Sequence, residues 1–114
     1  MSAGPFQVTS HKGTSAGALV LNVRGAITFS SSPAFHEAIS AASAPLLIID
    51  LTEVPSIDSM AVGTLVRTFV SCHKSGRKLA LVGLNHRVRN VLQITGIDPL
   101  FDIYATVAEA EAKN

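Results

Sequence analysis

Polar and apolar positions alternate along this chain with two different periods. Residues 6–9 (Phe6, Gln7, Val8, Thr9) alternate weakly, as an edge strand does. Residues 12–17, rich in Gly, Ser and Thr, read as a loop. Residues 18–24 alternate again, with Leu19, Leu21 and Val23 on one face. Two such runs around a glycine-containing loop predict a hairpin, although the loop is longer than the favoured types. Ser32 before Pro33 predicts an N-cap followed by proline at the first helical position. Phe35, Ala38, Ile39 and Ala42 then fall on one helical stripe. Residues 46–49 (Leu-Leu-Ile-Ile) are apolar on both faces, which suits a central strand covered on both sides.

The next helix is predicted to bury Val62, Leu65, Val66, Phe69, Val70 and His73. Thr64, Arg67, Thr68, Ser71 and Lys74 are predicted on its outer face. Gly76 stands where a left-handed stop belongs. Residues 79–82 form another buried strand. Asn85 can cap a third helix, with Val88, Val91, Leu92 and Thr95 facing inward and Gly96 ending it. A short strand at 101–104 precedes a capping box, Thr106 to Glu109, that opens a terminal helix. The order β-β-α-β-α-β-α-β-α implies an α/β fold: a mixed, mostly parallel sheet of about five strands, an opening β-hairpin and about four helices. No internal repeat or long linker divides the chain, so residues 1–114 are expected to form a single domain.

Composition narrows the function. The 114 residues are 47% hydrophobic and 15% charged, which excludes a disordered chain. Nine Lys+Arg against eight Asp+Glu give a net charge of +1, too little excess for a broadly basic nucleic-acid binder. Cys72 is the single cysteine and cannot form an internal disulfide. No apolar run approaches the ~18 residues of a membrane span. Residues 1–5 lack the basic-then-apolar pattern of a signal peptide. The expectation is a cytoplasmic protein without membrane insertion.

Candidate chemistry lies beyond the carboxyl ends of the strands, where open α/β sheets meet their ligands. The central strand ends near Leu51, and Asp58 and Ser59 then stand at the start of the clearest helix. Free N–H groups and the helix dipole favour oxygen ligands and negative charge there. Simple capping by Asp58 or Ser59 is the plainest reading. Arg67, Lys74, Arg77, Lys78, Arg87 and Arg89 form a local basic excess, with no acid between Asp58 and Asp98. An ordinary solvated face accounts for it; an anionic partner or lipid headgroups would use the same charge. His11, His36, His73 and His86 have no zinc-ligand spacing with Cys72, and no phosphate-binding loop or nucleophile elbow occurs. Catalytic residues, metal and cofactor are all expected to be absent. The segment 29–33 (Phe-Ser-Ser-Ser-Pro) reads as a polar turn and cap that could flank Ser59 across the same sheet edge.

Taken in order, 47–51, 57–59, Gly63 and 76–79 resemble a STAS domain. The tail segments 91–97, 100–104 and Glu109-Ala110 strengthen the resemblance, which points to the bacterial anti-sigma factor antagonist family. In that family the serine after the motif aspartate is the phosphoacceptor, which corresponds to Ser59. The resemblance implies a partner surface of Thr28, Ser30, Ser31, Ser56, Asp58, Met60, Gly63 and Thr64. The implied partners are an anti-sigma factor with serine kinase activity and a serine phosphatase. Where the family motif often continues Ser/Thr-Gly-Leu-Gly, this chain has Met60-Ala61-Val62-Gly63. Where antagonists commonly carry an acid after Gly-x-Ile/Leu, it has Thr28, so a carboxylate contact to the partner is missing. A non-switching STAS scaffold, in a stress-signalling complex or on a lipid transporter, is the alternative. The free edge near Phe6 leaves a homodimer open.

Overall fold

The computed structural model describes residues 6–114; residues 1–5, searched above for a signal peptide, lie outside the described residues. The elements are β1 (Gln7–Lys12), β2 (Ala18–Arg24), α1 (Ser32–Ala41), β3 (Leu46–Glu53), α2 (Ser59–Lys74), β4 (Lys78–Val82), α3 (His86–Ile94), a 3-10 turn (Asp98–Leu100), β5 (Asp102–Tyr104) and α4 (Val107–Lys113). The five strands stand in the order β1-β2-β3-β4-β5. β1 pairs antiparallel with β2, from Gln7 opposite Arg24 to Lys12 opposite Leu19. The remaining neighbours pair in parallel.

Sequential parallel strands joined by right-handed crossovers must place their connecting helices on one face of the sheet. Accordingly Leu21, Val23, Leu47, Ile49, Leu51, Leu79 and Leu81 pack with Phe35 and Ile39 of α1, Ala61, Leu65 and Cys72 of α2, and Val88 and Leu92 of α3. The alternate residues Val20, Leu46, Ile48, Ala80 and Val82 face the other way and pack with Ala110 of α4. The continuous apolar run 46–49 is thus buried on both sides. Gly76 has φ +72° and ends α2, where the Arg77 amide donates to the Cys72 carbonyl at 2.8 Å.

Thr95, expected to face inward, is exposed, and three further expectations shift. β1 runs to Lys12, beyond the predicted 6–9, because its ladder with β2 continues to Leu19. The cap of α1 is Ser31 rather than Ser32, and its hydroxyl does not cap. It accepts from the Thr28 amide and donates to the Ala26 carbonyl, both at 2.8 Å, which ties up the loop instead. The inner face of α2 is also rotated. Ala61, Thr64, Leu65, Thr68 and Cys72 are buried, whereas Val70 and His73 are exposed. Thr64 and Thr68 donate their hydroxyls to the carbonyls four residues earlier, at 3.2 and 2.7 Å, so they enter the core without leaving a polar group unpaired. Phe69 lies half-buried, edge-on to Phe101 and stacked on His73.

Candidate partner surface around Ser59

The β2–β3 ladder continues past both strands and zips two loops together. The Gly25 amide donates to the Glu53 carbonyl, the Ile27 amide to Ser56, and the Asp58 amide back to Ile27, at 3.0, 3.1 and 3.1 Å. Ile27 and Ile57 form an isolated parallel bridge whose side chains are buried beneath. The β2–α1 loop and the start of α2 therefore present one continuous surface.

Asp58 is the keystone of that surface. Its Oδ1 accepts from the Met60 and Ala61 amides, at 3.0 and 3.2 Å, and so caps α2. Its Oδ2 accepts from the Phe29 amide at 2.8 Å and holds the neighbouring loop. The capping alternative thus resolves to Asp58. Ser59 follows as the first residue of α2 and is exposed; its hydroxyl has no hydrogen-bond partner among the described residues. Thr28 and Ser30 flank Phe29, whose amide Asp58 holds, and their hydroxyls are 3.2 Å apart.

The expected partner residues divide by depth. Ser30 and Met60 are exposed, and Thr28, Ser56, Asp58 and Gly63 are partly so. Thr64 is 1% exposed, with its hydroxyl on the Met60 carbonyl. Ser31 is buried in the loop bonds described above. These two shape the surface from below and cannot touch a partner directly. One residue was missed. Phe29, inside a stretch read as polar turn, is 75% exposed, and Met60 beside the serine is 46% exposed. A lone aromatic among serines between a strand and a helix was the available signal. The Arg67 guanidinium reaches back to the Thr64 hydroxyl at 3.3 Å, and both Asp58 oxygens are occupied.

Elsewhere, burial raises the Cys72 thiol above its ordinary value against the opposing pull of Arg77, so Cys72 is a poor nucleophile. Among the described residues, no three His, Cys, Asp or Glu side chains are grouped to hold a metal ion. Among the described residues, no helix is long and apolar enough to cross a membrane.

A family model described as STAS domain matches residues 7–110. The chain belongs to the STAS domain family. It is 41% identical over 64 residues to the TM1081 homologue of Thermotoga neapolitana, a match spanning 56% of this chain and only 57% of that relative. It is 32% identical over 95 residues to the anti-sigma-B factor antagonist of Listeria monocytogenes, covering 81% of this STAS chain and 83% of that protein. The crystal structure of an anti-sigma factor antagonist from Mycobacterium paratuberculosis superposes with a TM-score of 0.83 at 28% identity, over 97% of each chain. The mixed five-stranded sheet with four helices is the architecture of these STAS structures.

Proposed function

We propose that this STAS protein is an anti-sigma factor antagonist controlled at Ser59. In its unmodified form it binds an anti-sigma factor that is also a serine kinase, and so releases a sigma factor for transcription. The kinase then transfers the γ-phosphoryl of ATP to the Ser59 oxygen; an O–P bond forms, the bond to ADP breaks, and the hydroxyl proton passes to a base on the kinase. The phosphorylated protein lets go, and a serine phosphatase restores it. The chain itself supplies a surface and an acceptor, not catalysis, and works in the cytoplasm.

One observation carries this reading: the Ser59 hydroxyl is exposed and unbonded at the mouth of α2, because Asp58 does all the capping. A phosphate there adds about −1.5 to −2 charge. The helix start tolerates it, since amide N–H groups and the dipole favour an anion. A partner packed over Phe29 and Met60 does not, because the anion must be desolvated beside Asp58. A hundredfold loss of affinity needs about 2.7 kcal/mol, within reach of one badly placed phosphate. The named antagonists among its relatives support the same role.

Thr28 favours a second reading, a scaffold that binds without switching, because the loop lacks the acid expected for kinase recognition. Incubation with ATP and each anti-sigma kinase of the same genome, followed by intact-mass spectrometry, separates the two. One added phosphate, absent in Ser59→Ala, is expected. An unmodified Ser59 with every kinase, together with equal partner binding by Ser59→Ala and Ser59→Asp, sinks the switch.

A further inference from the structure

Among the described residues β1 has a neighbouring strand on one side only. Its ladder with β2 is unbroken from Gln7 to Lys12 and continues one step further, where the Gly13 amide donates to the Ala18 carbonyl at 2.9 Å. In an antiparallel pair, alternate residues turn their N–H and C=O toward the partner strand. Gln7, Thr9 and His11 therefore bond β2, whereas Val8, Ser10 and Lys12 turn theirs outward. Sheet edges are ordinarily blunted by shortness, proline, bulges or charge. β5, the opposite edge, has three residues and an exposed Asp102. β1 has six residues, no proline and no bulge. On one face of this edge Gln7, Thr9 and His11 are exposed. On the other, a groove beside α1 is lined by Phe6, Val8, Ala34, Glu37, Ala38 and Ala41. Neither Glu37 nor Lys12 has an ion-pair partner; the salt bridge among the described residues is Arg24–Glu53, on the β2–β3 edge.

We infer that two copies of this chain join β1 to β1 about a two-fold axis at Ser10, making one continuous antiparallel sheet. One register uses every outward group: Ser10 lies opposite Ser10, and Val8 of each copy lies opposite Lys12 of the other. Each such pair exchanges two N–H···O bonds, about six in all. Val8 and Lys12 point to the same face, since residues two or four apart along a strand do so. The register thus lays the Lys12 stem of one copy along Val8 of the other and brings its ammonium into the groove, where Glu37 is the charged residue among the lining side chains. Such complementary charge fixes register more than it adds affinity. Ala34, Ala38 and Ala41 are short enough to leave the stem its room. A two-fold contact closes on itself, whereas β1 against β5 would propagate into rings or filaments. The surface around Ser59 lies at the carboxyl ends of β2 and β3, and the antiparallel copies point it in opposite directions. The dimer therefore stands whether or not Ser59 is modified.

Sedimentation equilibrium of the full chain from about 1 μM to about 1 mM tests the pairing over the range from tight to weak association. A monomer–dimer equilibrium is expected, with no larger species. Ser10→Pro removes an outward N–H at the axis and spares the bonds to β2, as proline does on an open edge. It should weaken the dimer about tenfold or more, with melting unchanged at the lowest concentration, where the wild type is monomeric. Lys12→Glu and Glu37→Lys should each weaken the dimer about tenfold, because both symmetry-related pairs turn repulsive. The double exchange should restore it, a rescue that a damaged fold could not produce. The proposal is overturned if the wild type stays monomeric at every concentration, if it grows past a dimer, if Ser10→Pro associates as well as the wild type, or if the double exchange fails to restore association.

Discussion

Asp58 and Glu111 both gather a loop by accepting backbone N–H groups, at opposite ends of β2. Asp58 sits at the carboxyl end. It caps its own helix and, through its second oxygen, holds the Phe29 amide. Glu111, on α4, reaches back to the β1–β2 loop. It accepts from the amide and hydroxyl of Thr14, and from the Ser15 amide at 3.2 Å. Gly13 leaves the space for this clasp, since a Cβ there would run into the Glu111 carboxylate. Glu111 is itself buried and closes the fold. Asp58 is surrounded by exposed Phe29, Ser59 and Met60 and presents a surface. The same carboxylate chemistry ties down a loop at both ends, sealed at one and displayed at the other.

The sharpest break in that comparison is Asp58→Ala. It removes a helix cap and a charge-assisted bond to another loop, and should cost about 2–3 kcal/mol. The melting temperature should fall by about 10 °C, and Asp58→Asn should recover part of the cap. A loss under about 0.5 kcal/mol, the range of neutral surface changes, would mean that Asp58 is no keystone.

Phe29→Ala comes next and should act on binding rather than on folding. With the partner identified, affinity should drop about tenfold or more, as for an exposed aromatic anchor. Unfolding free energy should stay within about 0.5 kcal/mol. A stability loss without a binding loss would assign Phe29 to the fold and leave the display end without its anchor.

Glu111 gives a smaller effect, confined by pH. The Thr14 hydroxyl, followed by the Thr14 and Ser15 amides, holds its carboxyl below the ordinary glutamate value despite the opposing effect of burial. A lowered folded-state value means that the ionised form stabilises the fold above the ordinary value of 4.5, and that this contribution disappears as pH falls through the lowered one. The melting gap between the wild type and Glu111→Gln should therefore be full at pH 7 and narrow below about pH 4.5. A gap that stays constant into strong acid contradicts the clasp.

Ser59→Asp should be the quietest change. An acid in the first helical turn suits the dipole, so stability should shift by no more than about 0.5 kcal/mol. A drop of many degrees would show that the hydroxyl is not free at the helix mouth.

How much could be read along the chain depended on the range of each interaction. The caps at Asn85 and Thr106 were legible, because each side chain accepts from an amide three residues on. Asp58 was recognisable as a candidate cap for the same reason. The stripe of α2 was misjudged by one step around the helix: hydropathy treats Thr64 and Thr68 as surface residues, while their bonds to preceding carbonyls let them enter the core. Phe29 stood out only as a lone aromatic in a serine-rich turn, and its 75% exposure follows from the loop being held from Asp58 across the sheet edge.

The chain by itself determined the order of strands and helices, the doubly buried central strand and the serine at the head of α2. Those follow from periods of two and 3.6 residues and from contacts within one turn. Only the tertiary structure decided that Asp58 would grip a loop 29 positions earlier and that Glu111 would close one 97 positions away. Such contacts form when the sheet brings distant segments side by side, and no local window of sequence contains both partners.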